Sequence, residues 1–81
     1  MKLPHDLSGN ALAKILRSLD YRITRQSGSH IRLTTTTPSG EHHLTIPAHN
    51  PLKIGTLAAI IADIATHHGL TREELLKQLF P

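Results

Sequence analysis

The hydrophobic period of this chain changes twice, and that pattern restricts its fold more than any other feature. Leu12, Ile15, Leu16 and Leu19 fall at i, i+3, i+4 and i+7, which is one stripe of an α-helix. Ser8 sits where an N-cap is wanted, so the helix is predicted from about Gly9 to Leu19. The period then drops to two. Tyr21 and Ile23 alternate with Arg22 and Thr24; Ile31 and Leu33 alternate with His30, Arg32 and Thr34; His42, Leu44 and Ile46 alternate with His43 and Thr45. Turn residues at Ser27-Gly28 and Pro38-Ser39-Gly40 divide this stretch into three short strands, and turns that short imply an antiparallel meander. Pro47 has no N–H for a ladder and closes the third strand. After Asn50-Pro51 the helical period returns with Leu57, Ile60, Ile61 and Ile64, and Gly69 is its stop. Thr71-Arg72-Glu73-Glu74 is a capping-box pattern that opens a short last helix burying Leu75, Leu76 and Leu79.

The order α-β-β-β-α-α is that of an α+β domain. A three-stranded antiparallel sheet with its helices on one face buries all of these stripes together. At 81 residues the chain is one domain, 1–81, without repeats or low-complexity runs. Tyr21 and Phe80 are its only aromatic residues, so the core has to be built from Leu, Ile and Ala. The absence of cysteine excludes disulfides and Cys-based metal sites and fits a reducing cytosol. The longest apolar run, Leu57 to Ala62, is far short of the ~20 residues needed to span a bilayer. Lys2 is followed by Pro4, His5 and Asp6, which leaves no apolar signal core. A cytoplasmic, membrane-free location is the expectation. Nine Lys and Arg against six Asp and Glu give +3, a balance that favours a polyanionic partner.

If Ile31 and Leu33 point at the helices, His30, Arg32 and Thr34 point away from them. The same alternation puts Arg22 and Thr24 of the first strand, and His43 and Thr45 of the third, on the open side. A histidine among arginines and hydroxyls on an exposed face is suited to phosphate.

Arg25-Gln26-Ser27-Gly28-Ser29-His30 resembles the R-Q-x-G-S-H signature of the HicA (YcfA-like) mRNA interferase toxins. The likeness continues in register through Leu3-Pro4, Ser8-Gly9, Ile46-Pro47-Ala48-His49, Leu52-Lys53-x-Gly55-Thr56-Leu57 and Gly69-Leu70-Thr71-x-Glu73-Glu74, and so covers nearly the whole chain. The resemblance implies a double-stranded-RNA-binding-domain-like fold, α-β-β-β-α, here with a short extra C-terminal helix. It implies a metal-independent, cofactor-free endoribonuclease that cuts mRNA, a HicB-like antitoxin as protein partner, and His30 as the essential histidine. The chain departs from the family pattern in a second helix about one turn longer, with Ala58, Ala59 and Asp63 where basic residues often sit.

An imidazole, with an ordinary pKa near ~6.5, can take a proton from a ribose 2′-OH or give one to a leaving 5′-oxygen. His30 is therefore assigned as general acid or base. Gly28 and Ser29 form a hairpin turn whose backbone can approach a phosphate closely. Arg25 and Arg32 are the main candidate phosphate binders, Arg22 and Lys53 lesser ones, and His49 lies in the Pro47-Ala48-His49 loop as a site of second rank. Single-stranded RNA or mRNA is the expected ligand. The alternative is a non-catalytic RNA-binding module of the same fold, which the fold by itself does not separate from an enzyme.

The other histidines do not suggest a metal. His42 and His43 point to opposite faces of a strand, and His67 and His68 diverge by about 100° on a helix. A site joining His30 to His43 across the sheet is the one metal reading left open.

Overall fold

The computed structural model describes residues 3–81; Lys2 lies outside the described residues. Helix α1 (Gly9–Ile15) starts where the Ser8 hydroxyl accepts the Ala11 N–H at 3.0 Å. The predicted helix then tightens, because Leu16–Leu19 form a 3-10 turn rather than α-helix. That turn ends at Asp20, which takes a left-handed conformation (φ 62°) with its N–H directed to the Arg17 and Leu16 carbonyls. Tightening the last turn is a common way to satisfy carbonyls that a helix end leaves without partners.

Strands β1 (Arg22–Ser27), β2 (His30–Thr37) and β3 (Gly40–Pro47) form the predicted antiparallel meander, in spatial order β1-β2-β3. Helix α2 (Ile54–His68) stops at Gly69 (φ 66°), and the Leu70 N–H closes its end on the Ala65 carbonyl at 2.9 Å. Helix α3 (Arg72–Leu79) opens with the reciprocal capping box of Thr71 and Glu74, at 2.9 and 3.1 Å. The architecture is α+β, as the periods required.

The core lies between the sheet and the helices. Leu12, Leu16, Tyr21, Ile31, Leu33, Ile46, Leu57, Ile61, Ile64, Leu75 and Leu76 are sealed from solvent. Truncating one of these leucines to alanine costs about 2–5 kcal/mol in such a core. Ile23 does not join them. The period-two pattern pairs it with Tyr21 as an inward residue, yet it is 49% exposed. The reason is position: β1 is an edge strand, and the helices pack over β2 and β3. Among the described residues Thr35 is the one buried polar side chain, and its hydroxyl donates to the Leu19 carbonyl at 3.2 Å. No helix among the described residues is long and apolar enough to cross a membrane.

Candidate functional site

The face of the sheet turned away from the helices is built in rows by the strand register. Ser27, His30 and Pro47 form one row, Arg25, Arg32 and Thr45 the next, and Arg22, Thr34 and His43 a third. Directly opposed residues share a face, so every open-side residue expected from alternation is found there. Arg25 is placed by an irregularity. The pairing slips between Ile23 and Arg25, leaving Thr24 as an extra residue in β1. Without that bulge Arg25 would turn toward the helix layer; with it, Arg25 stands across from Arg32.

Two arginines directly opposite one another on a sheet repel, and such pairs ordinarily destabilise it. Neither is relieved by a carboxylate: no ion pair reaches Arg22, Arg25 or Arg32 among the described residues. His30 lies two residues from Arg32 along β2, a rise of about 7 Å. Its imidazole is exposed and makes no hydrogen bond among the described residues. Among the described residues, then, the guanidinium groups of Arg22, Arg25 and Arg32 have no ion-pair partner and the His30 imidazole has no hydrogen bond.

A two-residue turn, Gly28-Ser29, delivers His30 to this position, because Ser27 pairs directly with His30. Gly28 has φ 57° while Ser29 stays at negative φ, the pattern of a type II′ hairpin turn with glycine first. A Cβ at Gly28 would meet nothing, so the glycine is required by backbone conformation and not by lack of space. The Ser29 carbonyl accepts the Ala48 N–H at 2.6 Å, which ties this turn to the segment after β3. That segment is held from below by α1, where the Gly9 N–H donates to the His49 carbonyl at 2.9 Å. A methyl group on Gly9 would collide with the Pro47 carbonyl oxygen, so the Ser8-Gly9 pair is needed for a close backbone approach. His49 is exposed beside the His30 end of the sheet. Lys53 is exposed and occupies the N-cap position of α2.

The remaining histidines divide between the two faces. His43 stands on the open face, its Nδ1 2.8 Å from the Thr34 hydroxyl. Register puts it four residues along β2 from His30, about 13 Å away, too far for one ion to bridge them. That removes the His30–His43 metal reading. His42 turns to the helix side and, with Tyr21, gathers a cluster that the sequence did not reveal. The Tyr21 hydroxyl lies 2.7 Å from His42 Nδ1 and 3.0 Å from His68 Nε2. His42 Nε2 meets the Asp63 carboxylate at 3.1 Å. The His67 ring stacks on His42 at 4.4 Å between centroids, and its Nε2 lies 2.9 Å from the Thr37 hydroxyl. His67 and His68 both reach this cluster, His67 stacked on His42 and His68 beside the Tyr21 hydroxyl, with their own rings edge to face at 5.2 Å.

Burial, reinforced by the Asp63 charge, pushes the Tyr21 hydroxyl up from 10.0 to about 12, so it remains a neutral donor. Burial first, then His67 and His42, hold His68 below its ordinary value. Among the described residues no group of three or more His, Cys, Asp or Glu side chains is placed to hold a metal ion. The cluster pins the end of α2 to the sheet, and its groups are occupied with one another.

Over residues 9–65 the chain matches the family model described as HicA toxin of bacterial toxin-antitoxin. That span includes the whole sheet, the Gly28-Ser29 turn and most of α2. No curated protein and no solved structure matches the chain.

Proposed function

The chain belongs to the HicA family of toxins of bacterial toxin–antitoxin systems, and from that premise we propose that it is an endoribonuclease acting on single-stranded RNA or mRNA through His30. The observation that carries this reading is the Arg25–Arg32 pair beside an unengaged His30, with no carboxylate within ion-pair distance of either arginine among the described residues. A repulsive arrangement kept on an exposed face is explained by an anion that belongs there.

An RNA phosphodiester breaks when its 2′-oxygen attacks the adjacent phosphorus and the 5′-oxygen leaves. A proton must depart from the first oxygen and another must reach the second. His30 serves one of these transfers as general base or acid, a role worth typically about 10²–10⁴-fold in rate. Arg25 and Arg32 supply fixed donors to the phosphate oxygens as negative charge builds on them. The Gly28-Ser29 backbone lets the phosphate come close to the strand start. None of these steps calls on a metal. The protein partner is a HicB-like antitoxin, whose acidic groups would meet the same cations and cover His30.

The test is cleavage of a labelled, unstructured RNA in the presence of EDTA by the protein and by His30→Ala. Cleavage by the unmodified protein alone is the expected result. Intact RNA with salt-sensitive binding would move the assignment to a non-catalytic RNA-binding module.

A further inference from the structure

The open face carries a second constellation at the end away from His30. Arg22, Thr34 and His43 share a row, and a chain of hydroxyls fixes the row in place. Thr24 Oγ1 donates toward the Arg32 carbonyl at 3.5 Å, and Thr24 and Thr34 are 3.0 Å apart. Thr24, Thr34 and His43 Nδ1 thus form one hydrogen-bonded chain that ends on the strand backbone. The other ring nitrogen, His43 Nε2, has the Glu41 carboxylate 4.0 Å away. Beside this row lies a cleft of about 580 Å³ lined by Asp20, Arg22, Thr24, Thr34, Thr35 and Thr36. Asp20 forms its rim and is fixed there by the two backbone bonds that hold it in the left-handed region.

We propose that this cleft is a second subsite, holding one ribonucleotide of the RNA strand away from the nucleotides bound at His30. The inference rests on the ribonuclease reading and extends it by naming where the rest of the substrate lies. Arg22 takes a phosphate, having no carboxylate within ion-pair distance among the described residues. Thr24, Thr34 and Thr36 line the place of the sugar, Thr35 being tied to the Leu19 carbonyl, and His43, bonded to Thr34 just outside the lining, offers Nε2 to a 2′-OH, which can donate or accept. Asp20 accepts from N–H groups of the base and repels a second phosphate. An acidic protein segment fits this cleft less well than a nucleotide, because Asp20 would oppose its carboxylates. The cleft is within the usual size range of small-molecule sites. It lies about four residues along the strands from His30, roughly 13 Å, so a dinucleotide bound at His30 cannot reach it.

The measurement is RNA binding by fluorescence anisotropy over a range of salt, with a dinucleotide and with an oligonucleotide long enough to span both rows. The double variant Arg22→Ala/His43→Gln is compared with the unmodified protein. We expect it to lose about tenfold in affinity for the long RNA and nothing for the dinucleotide. The slope of log affinity against log salt should flatten by about 0.7 for the one lost phosphate contact. A DNA strand of the same length should show a smaller loss than RNA. Retention of the full length advantage by the double variant overturns the subsite, as does a glutamate-rich peptide that displaces the long RNA from the unmodified protein but not from the variant. If the double variant fails to fold, Arg22→Gln alone repeats the test. The two readings fail separately. Length-dependent binding lost in the variant, with RNA left intact by the unmodified protein, keeps the subsite and removes the nuclease; cleavage of long RNA at equal kcat/KM by both removes only the subsite.

Discussion

His42 and His43 are neighbours in β3, and strand alternation sends their rings to opposite faces of the same sheet. On the helix side His42 is engaged at both nitrogens, by Tyr21 and Asp63, and stacked under His67. On the open side, among the described residues, Arg22, Arg25 and Arg32 have no carboxylate partner and His30 has no hydrogen-bond partner. The contrast separates two uses of polar chemistry. Groups near the core must satisfy one another, because an unpaired one costs free energy, and once satisfied they hold the fold. Groups left unpaired on an exposed face contribute little to folding and remain available to a ligand. Substitutions on the two faces should therefore change different quantities.

The largest expected effect is on the open face. His30→Ala should lower RNA cleavage by about 100-fold or more. Its folding stability should stay within about 0.5 kcal/mol of the unmodified protein, since the side chain is exposed and unbonded. A urea unfolding curve run beside the cleavage assay checks both. A variant that cleaves normally, or that loses activity only because it unfolds, breaks the division between the faces.

Tyr21→Phe is the counterpart on the helix side. It removes the hydroxyl that serves both His42 and His68 and leaves two ring nitrogens with lost partners. The expected cost is about 2 kcal/mol in urea unfolding. Cleavage measured well below the unfolding midpoint should be unchanged. A neutral effect on stability would mean that water replaces the hydroxyl without penalty.

These two sites were not equally legible in the sequence. The change of period fixed the order of helices and strands, and alternation placed His30, Arg32, Thr34, His43 and Thr45 on one face, because both follow from local geometry. The bulge at Thr24 was hidden, since a strict period of two assigns Arg25 to the wrong face and nothing local marks the slip. Ile23 keeps the inward face that alternation gives it, opposite Leu33, and is exposed because the helices cover β2 and β3. The tightened turn at Leu16–Leu19 keeps its leucines near the core and so leaves the apolar stripe intact. The histidine cluster depends on Tyr21, β3 and the end of α2 meeting in space. A signal was present in four histidines carried as two adjacent pairs, but adjacency on a helix argues for divergence, and only packing brings the rings together.

A smaller effect tests the contrast within one strand. His42→Ala should destabilise the fold by about 1 kcal/mol more than His43→Ala, because only the first breaks bonds on the core side. RNA affinity should move in the opposite order, falling for His43→Ala and holding for His42→Ala. Calorimetric or urea unfolding of the pair, followed by anisotropy on the same preparations, decides it. Equal destabilisation by both would show that the Thr34–His43 bond supports the sheet as much as the buried cluster does.

The smallest expected effect is the dependence of stability on pH, which the helix-side cluster shapes at both ends. His68 is held below its ordinary value, by burial first and then by His67 and His42, so the folded chain binds fewer protons than the unfolded one as pH falls. Stability is then fully present above 6.5 and declines as the solution is acidified through 6.5 toward the lower folded value. Tyr21 behaves in the reverse sense. Its hydroxyl is raised from 10.0 to about 12, so the contribution is complete below 10.0 and is lost as pH climbs toward about 12. A plateau of stability bounded by two losses follows, with His68 opening the acid loss, Glu74 adding to it below 4.5 through its bond from the Thr71 backbone, and Tyr21 contributing the alkaline one. Urea midpoints measured across the range locate the edges. His68→Asn should shrink the acid loss, and Tyr21→Phe should remove its share of the alkaline one, each without touching the other. If His68→Asn leaves the acid loss unchanged, the proton is taken up elsewhere and the cluster is a packing feature without a titrating role.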